Sequence, residues 1–202
     1  MDYDPTVYLI DDDEALRLAA SVTLKIAGYK VSDYASAELF LEDMNHDMSG
    51  CLITDLMLPE MSGIELQHAL IARHIKLPII FMTGYGDINE SVHAIKAGAL
   101  DFVEKPVPPA AMLLRVEEAL ALDRSNREAE ASHDELQKKF NELTPREKEV
   151  IAQVVTGKTN KVIARELDIS FRTVEKHRAS AMLKLDIDNV VELAKLYLPE
   201  IT

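Results

Sequence analysis

Between residues 6 and 122, short apolar runs alternate with segments whose apolar positions recur every three or four residues. The runs at 6–10, 30–34, 51–54, 78–82 and 101–104 have the length and branched content of strands, several of them apolar enough to be buried on both faces. The segments at about 14–27, 36–44, 63–74, 88–97 and 109–122 carry the helical period, with Gly28 and Gly98 placed where helix ends belong. This order predicts an α/β fold: five βα units in a doubly wound parallel sheet, helices on both faces, joined by short right-handed connections.

Residues 123–141 are polar and lack Pro and Gly, and Leu136 and Phe140 lead to Leu143 at i, i+4 and i+7. They predict a helical linker continuous with the helix before it, with a solvated flexible tether as the alternative. Thr144-Pro145-Arg146-Glu147 then opens a helix with a cap, a proline at the first helical position and a glutamate three residues after the cap. Gly157 closes that helix. Further helices are predicted at 160–167, after a tight turn at 171–185, and at about 189–197. Val150, Ile151, Val154, Ile163, Leu167, Ile169, Val174, Met182, Leu185 and Leu193 can share one small core, so the second domain is all-α, with four helices. The expected divisions are 1–123, a linker at 124–141, and 142–202.

A chain of 202 residues that is 48% hydrophobic is globular. No stretch approaches about 18 uncharged apolar residues, and the first residues are acidic, so the expectation is a soluble, cytoplasmic protein without a membrane partner. Cys51 lies inside a strand pattern and reads as a buried, inert thiol. The net charge of −13 is unevenly spread: residues 1–123 hold 21 Asp+Glu against 8 Lys+Arg, whereas 144–184 hold 9 Lys+Arg against 5 Asp+Glu. Only the second domain is suited to meet phosphate backbones.

Polar residues at the carboxyl ends of parallel strands converge at one edge of the sheet. Here these are Asp11 and Asp12 after the first strand, Asp55 after the third, Thr83 after the fourth and Lys105 after the fifth. Three carboxylates, a hydroxyl and an ammonium suit a hard, oxygen-ligated cation together with a phosphoryl group, with Asp55 as candidate nucleophile. Asp13 reads as a helix-start residue and Tyr8 as packing.

Five motifs in sequence sharpen this reading. Leu9-Ile10-Asp11-Asp12-Asp13-Glu14, the run from Thr54-Asp55-Leu56 to Met61-Ser62-Gly63, Met82-Thr83-Gly84, Lys96-Ala97-Gly98-Ala99 and Phe102-Val103-Glu104-Lys105-Pro106 together resemble the receiver domain of bacterial two-component response regulators. The resemblance implies that Asp55 accepts a phosphoryl group from a sensor histidine kinase. It further implies Mg²⁺, with Mn²⁺ as a substitute, held by Asp12, Asp55 and the backbone carbonyl of Met57, with Asp11 holding metal water. Lys105 and Thr83 would meet the phosphoryl oxygens, and Phe102 would follow Thr83 in a switch, plain packing being its other reading. Val92, Lys96 and Asp101 follow the family's common dimer face.

Residues 144–198 resemble the LuxR-type helix-turn-helix domain, through Leu143-Thr144-Pro145-Arg146-Glu147, Gly157-Lys158-Thr159-Asn160-Lys161 and Thr173-Val174-Glu175-Lys176-His177-Arg178. The whole chain is thus similar to NarL/FixJ-family regulators, on the FixJ-like side. The resemblance implies base contacts from Glu175, Lys176 and Ala179 and phosphate contacts from Lys161, Arg172, Thr173, His177 and Arg178. Ser180 departs from the asparagine that many relatives carry, which puts a polar contact there in doubt. Double-stranded promoter DNA, RNA polymerase and a second copy of the chain are the implied partners. The receiver would catalyse only its own phosphorylation and slow dephosphorylation, and would not be a metabolic enzyme.

Two other functions compete. A Mg²⁺-dependent phosphatase would use the Asp11–Asp13 spacing, but Ala15 stands where such enzymes need Thr or Val. A phosphorylation-independent DNA-binding protein would need a defective acidic pocket, and the sequence shows none.

Overall fold

A computed structural model describes residues 3–45, 47–84 and 101–187. From its amino end the chain runs β1 (Thr6–Ile10), α1 (Glu14–Ile26), β2 (Lys30–Tyr34), α2 (Ala37–Asp43), β3 (Gly50–Asp55), α3 (Gly63–Ala72), β4 (Ile79–Thr83), β5 (Asp101–Glu104) and α4 (Pro109–Asn141). All strand pairs are parallel, in the order β2-β1-β3-β4-β5. The helix expected at 88–97 and Gly98 lie outside the described residues.

Alternation along the strands divides the core in two. Tyr8, Ile10, Leu52 and Phe81 pack with Phe40, Leu66 and Leu70 on one face. Val7, Leu9, Cys51, Ile53, Ile80 and Met82 pack with Leu24, Met112, Val116 and Ala119 on the other. Each large side chain fully buried this way contributes about 1.5–3 kcal/mol. Tyr8 is packing, as expected, its ring edge-on to Phe40 at 5.6 Å. Burial, and then the charge of Asp123, push the Cys51 thiol up to about 12, which keeps it inert.

Local chemistry sets the helix starts. Asp13 caps α1, its side chain accepting from the amides of Ala15 and Leu16 at 2.9 and 3.1 Å. Ser62 and Glu65 form a capping box on α3.

The chain divides into compact units between Arg127 and Glu128, within the segment 124–141 expected to join the two domains. The reason is a buried charge that the polar composition of this segment conceals. The Asp123 carboxylate, 2% exposed, accepts hydrogen bonds from Tyr3 Oη at 3.0 Å, the Gly50 amide at 2.9 Å and Arg127 Nε at 3.0 Å. Arg127 also donates to the Met48 carbonyl. The turn of α4 after Asp123 is therefore fastened to the amino end of β3. Further along, Leu136 and Phe140 pack on the second unit's core, and the segment expected as a helical linker at 124–141 is helical and continuous with the helix before it, as expected.

The second unit contains α5 (Pro145–Val155), α6 (Asn160–Glu166) and α7 (Phe171–Leu185). Val150, Ile151, Val154, Ile163, Val174 and Leu185 are its buried centre, with Leu167, Ile169 and Met182 packed against it. The capping box of Thr144 and Glu147 is present with Pro145 in the first turn, and Gly157 takes φ +79° after the cap residue Thr156. Leu193 and the helix expected at 189–197 lie outside the described residues. Among the described residues no helix is long and apolar enough to cross a membrane.

Candidate functional site

β1 and β3 are neighbours, so their carboxyl ends bring Asp11 and Asp12 beside Asp55. One carboxylate oxygen from each lies within 4.8 Å of the others, the Asp11 side buried and the Asp12 side exposed. Lys105, arriving from the end of β5, donates to Asp11 Oδ2 at 2.8 Å and to Asp55 Oδ2 at 2.5 Å. Burial alone would lower its pKa, but the bonds to the two carboxylates outweigh this and raise it, so the ammonium keeps its charge. Repulsion among three close carboxylates is thereby partly offset.

Backbone bonds fix the position of Asp55. The Met57 amide donates to Asp55 Oδ1 at 3.0 Å, and the Leu56 amide to the Met82 carbonyl at 2.9 Å. Gly63 lies so close that a Cβ there would be 2.5 Å from the Asp55 carbonyl oxygen and 2.8 Å from the Phe81 ring. Only glycine lets α3 begin against this strand end. The all-oxygen donor set of Asp11, Asp12 and Asp55 fits a hard divalent cation.

Thr83 ends β4, and its carbonyl accepts from the Lys105 amide at 2.8 Å. Its hydroxyl donates to the Gly84 carbonyl at 3.1 Å. Phe102 stacks on Phe81 with ring centroids 5.3 Å apart and planes at 21°. Beside the pocket, a cleft of about 400 Å³ is bounded by Asp11, Leu16, Ala19, Lys105, Pro106 and Met112. Asp13 is committed to capping α1, which removes it from the acid position that a phosphatase reading needs.

In the second unit α7 exposes Arg172, Glu175, Lys176 and Ala179, while Val174 and Ala181 are buried. Thr173, His177 and Arg178 are half-buried along the flanks, and Lys161 is exposed on α6. Ser170 caps α7 through the Thr173 amide at 3.0 Å and also meets the Thr173 hydroxyl at 2.7 Å. Val92 and Lys96 lie outside the described residues, as does the side chain of Asp101.

Sequence reasoning missed two polar centres. Glu147, 4% exposed, does more than close a capping box: its carboxylate accepts from Ser180 Oγ at 2.7 Å and Lys184 Nζ at 2.8 Å. Ser180, where the resemblance put a polar contact in doubt, therefore makes an internal bond. The Lys184 bond, opposed by burial and aided by the Ser180 and Thr144 bonds, holds the Glu147 pKa down at about 2. The second centre is Asp123 with Tyr3 and Arg127. An Asp and an Arg four residues apart on a polar helix read from sequence as a surface pair, and nothing in the sequence points to Tyr3 or Gly50 as partners.

A family model described as the response regulator receiver domain matches residues 7–117, and one described as bacterial regulatory proteins of the luxR family matches residues 141–197. The response regulator protein TodT of Pseudomonas putida is 39% identical over 190 residues, covering 94% of this chain and 84% of TodT. The transcriptional regulatory protein FixJ of Rhizobium meliloti is 38% identical over 196 residues, 96% of each chain. Among solved structures, the response regulator StyR matches with a TM-score of 0.80 at 39% identity, over 97% of this chain and 99% of its own. Full-length FixJ from B. japonicum matches with a TM-score of 0.60 at 36% identity over 96% of each chain.

Proposed function

We propose that this chain, which belongs to the response regulators that join a receiver domain to a LuxR-family DNA-binding domain, takes a phosphoryl group on Asp55 from a sensor histidine kinase and thereby controls its own binding to promoter DNA. Phosphorylation-dependent regulation of transcription is the function of that family. The observation that carries the residue-level reading is the Lys105 ammonium bonded to both Asp11 and Asp55 at the carboxyl edge of the sheet.

In the transfer, an Asp55 carboxylate oxygen attacks the phosphorus of the kinase's phosphohistidine. The new O–P bond forms as the N–P bond breaks, and the imidazole nitrogen keeps the bonding pair. The protein's work in such a loose, charge-rich transition state is positioning and neutralisation. Asp12, Asp55 and the Met57 carbonyl, with Asp11 through water, would hold Mg²⁺ or Mn²⁺, which when bound supplies positive charge against the phosphoryl oxygens. Lys105 turns from the carboxylates to the phosphoryl group, and the Thr83 hydroxyl exchanges the Gly84 carbonyl for a phosphoryl oxygen. Phe102 moves into the space Thr83 leaves, altering the surface that includes Val92, Lys96 and Asp101. Hydrolysis of the acyl phosphate then resets the pocket slowly.

Two phosphorylated copies pair through that surface, and two second units engage a two-fold-related site. Glu175, Lys176 and Ala179 face base edges; Lys161, Arg172, Thr173, His177 and Arg178 face phosphates. RNA polymerase is the downstream partner. A protein that must meet both a kinase's phosphohistidine and promoter DNA works in the cytoplasm. Asp55→Asn keeps the side chain's volume but removes the nucleophile, so it should take up less than about a hundredth of the radiolabel that wild type receives from phosphorylated kinase. Label accumulating on the variant at the wild-type rate would move the acceptor elsewhere.

A further inference from the structure

We propose that Asn160 is a positioning residue for DNA binding: it holds the Arg178 guanidinium on the flank of α7, ready for a DNA phosphate. The inference rests on the reading of Arg178 as a phosphate contact. Asn160 Oδ1 accepts a hydrogen bond from Arg178 Nη1 at 3.3 Å, joining the first position of α6 to the second turn of α7. Both side chains are half-buried.

Three features favour this role over a local one. Asparagine is a poor helix former, and at the first helical position it is not the capping residue, which here is Thr159. Thr159 makes no side-chain capping bond, and the Asn160 side-chain oxygen accepts from Arg178 of the next helix. Next, on a 3.6-residue period Arg178 falls between the buried line of Val174, Ala181 and Leu185 and the exposed line of Glu175 and Ala179. A residue on the flank of a helix seated in a groove meets the sugar-phosphate backbone, not the base edges. Finally, exposed Lys161 directly follows Asn160, so the asparagine stands between two cations assigned to the same backbone. An arginine loses much rotamer freedom when it is immobilised on a partner, and one already tethered in the free protein loses less. One of its five N–H donors goes to Asn160, which orients the planar fork for the others.

The test exploits the neutrality of asparagine. The salt dependence of DNA affinity counts phosphates neutralised by cations, with a slope of about −0.9 per phosphate in a log–log plot. Full-length chain treated with acetyl phosphate is titrated onto a mixed-sequence duplex over a range of salt concentrations, as wild type, Asn160→Ala, Arg178→Ala and the double variant. Asn160→Ala should bind about three- to tenfold more weakly at low salt, and its slope should be shallower by about one unit although no charge was removed. Arg178→Ala should show the same change in slope, and the double variant no more than Arg178→Ala alone. A wild-type slope for Asn160→Ala beside a shallower one for Arg178→Ala overturns the inference, since Asn160 would then act directly or only in folding. If neither slope changes, Arg178 meets no phosphate, and the reading beneath the inference falls with it. Thermal unfolding of Asn160→Ala controls for folding; should its midpoint drop, Asn160→Leu, close in shape but without the acceptor, carries the same readout.

Discussion

Lys105 has two duties that oppose each other. Its ammonium neutralises Asp11 and Asp55 in the resting pocket, yet the proposed divalent cation would draw on the same two carboxylates. Lys105→Ala should therefore bind Mg²⁺ more tightly, on the order of fivefold by calorimetry, while phosphorylation no longer raises DNA affinity. Unchanged Mg²⁺ affinity would show that the lysine does not compete with the cation. Glu147 supplies a second residue-scale test. Its folded pKa of about 2 lies below the ordinary 4.5, so its contribution to stability is complete above 4.5 and is lost as pH falls from there toward 2. Thermal midpoints measured from about pH 5 down to about pH 3 should fall more steeply for wild type than for Glu147→Gln, which has no carboxylate to titrate. Parallel profiles would remove Glu147 as the source of acid sensitivity. The contrast between these residues marks how far the sequence could be read. Lys105, Asp11 and Asp55 stand at strand ends, and parallel order alone brings strand ends together. Glu147 meets Ser180 and Lys184, and Asp123 meets Gly50 and Tyr3, across 33 to 120 residues through packing that no local pattern encodes.

At the scale of elements, the strand and helix positions among the described residues followed directly from the period of the apolar residues, because strands buried on both faces and amphipathic helices leave opposite signatures. The bounds of α7 match the expected 171–185, since a serine cap and the end of the apolar period coincide with its ends. The divisions around α4 were less legible, because its polar middle resembles a free linker while its two ends are held by different units. The junction of β3 with α3 offers an element-scale prediction. With Gly63 so near the Asp55 carbonyl, Gly63→Ala must push α3 or the strand end away. Phosphorylation by acetyl phosphate should slow by about 10- to 100-fold, as expected for a displacement of about 1 Å at a reacting group, while circular dichroism shows helix content retained. A wild-type rate would mean that the loop absorbs the methyl group without moving Asp55.

For the whole molecule, the acidic first unit and the basic face of the second divide the labour, one receiving a phosphoryl group and the other meeting phosphate backbones. Family membership joins them in one regulator, and the proposed source of the signal is the pocket around Asp55. The proposed pairing of two chains would place two second units at high effective concentration over adjacent half-sites, so affinity should rise without any new contact within a single unit. The most direct measurement is the affinity of the full-length chain for a promoter duplex, selected from fragments of its own genome, with and without acetyl phosphate and Mg²⁺. Wild type should bind about 10- to 100-fold more tightly when phosphorylated, with Asp55→Asn unmoved by the phosphodonor. Equal affinity of wild type in both conditions, or the same gain in Asp55→Asn, would contradict control of DNA binding through Asp55.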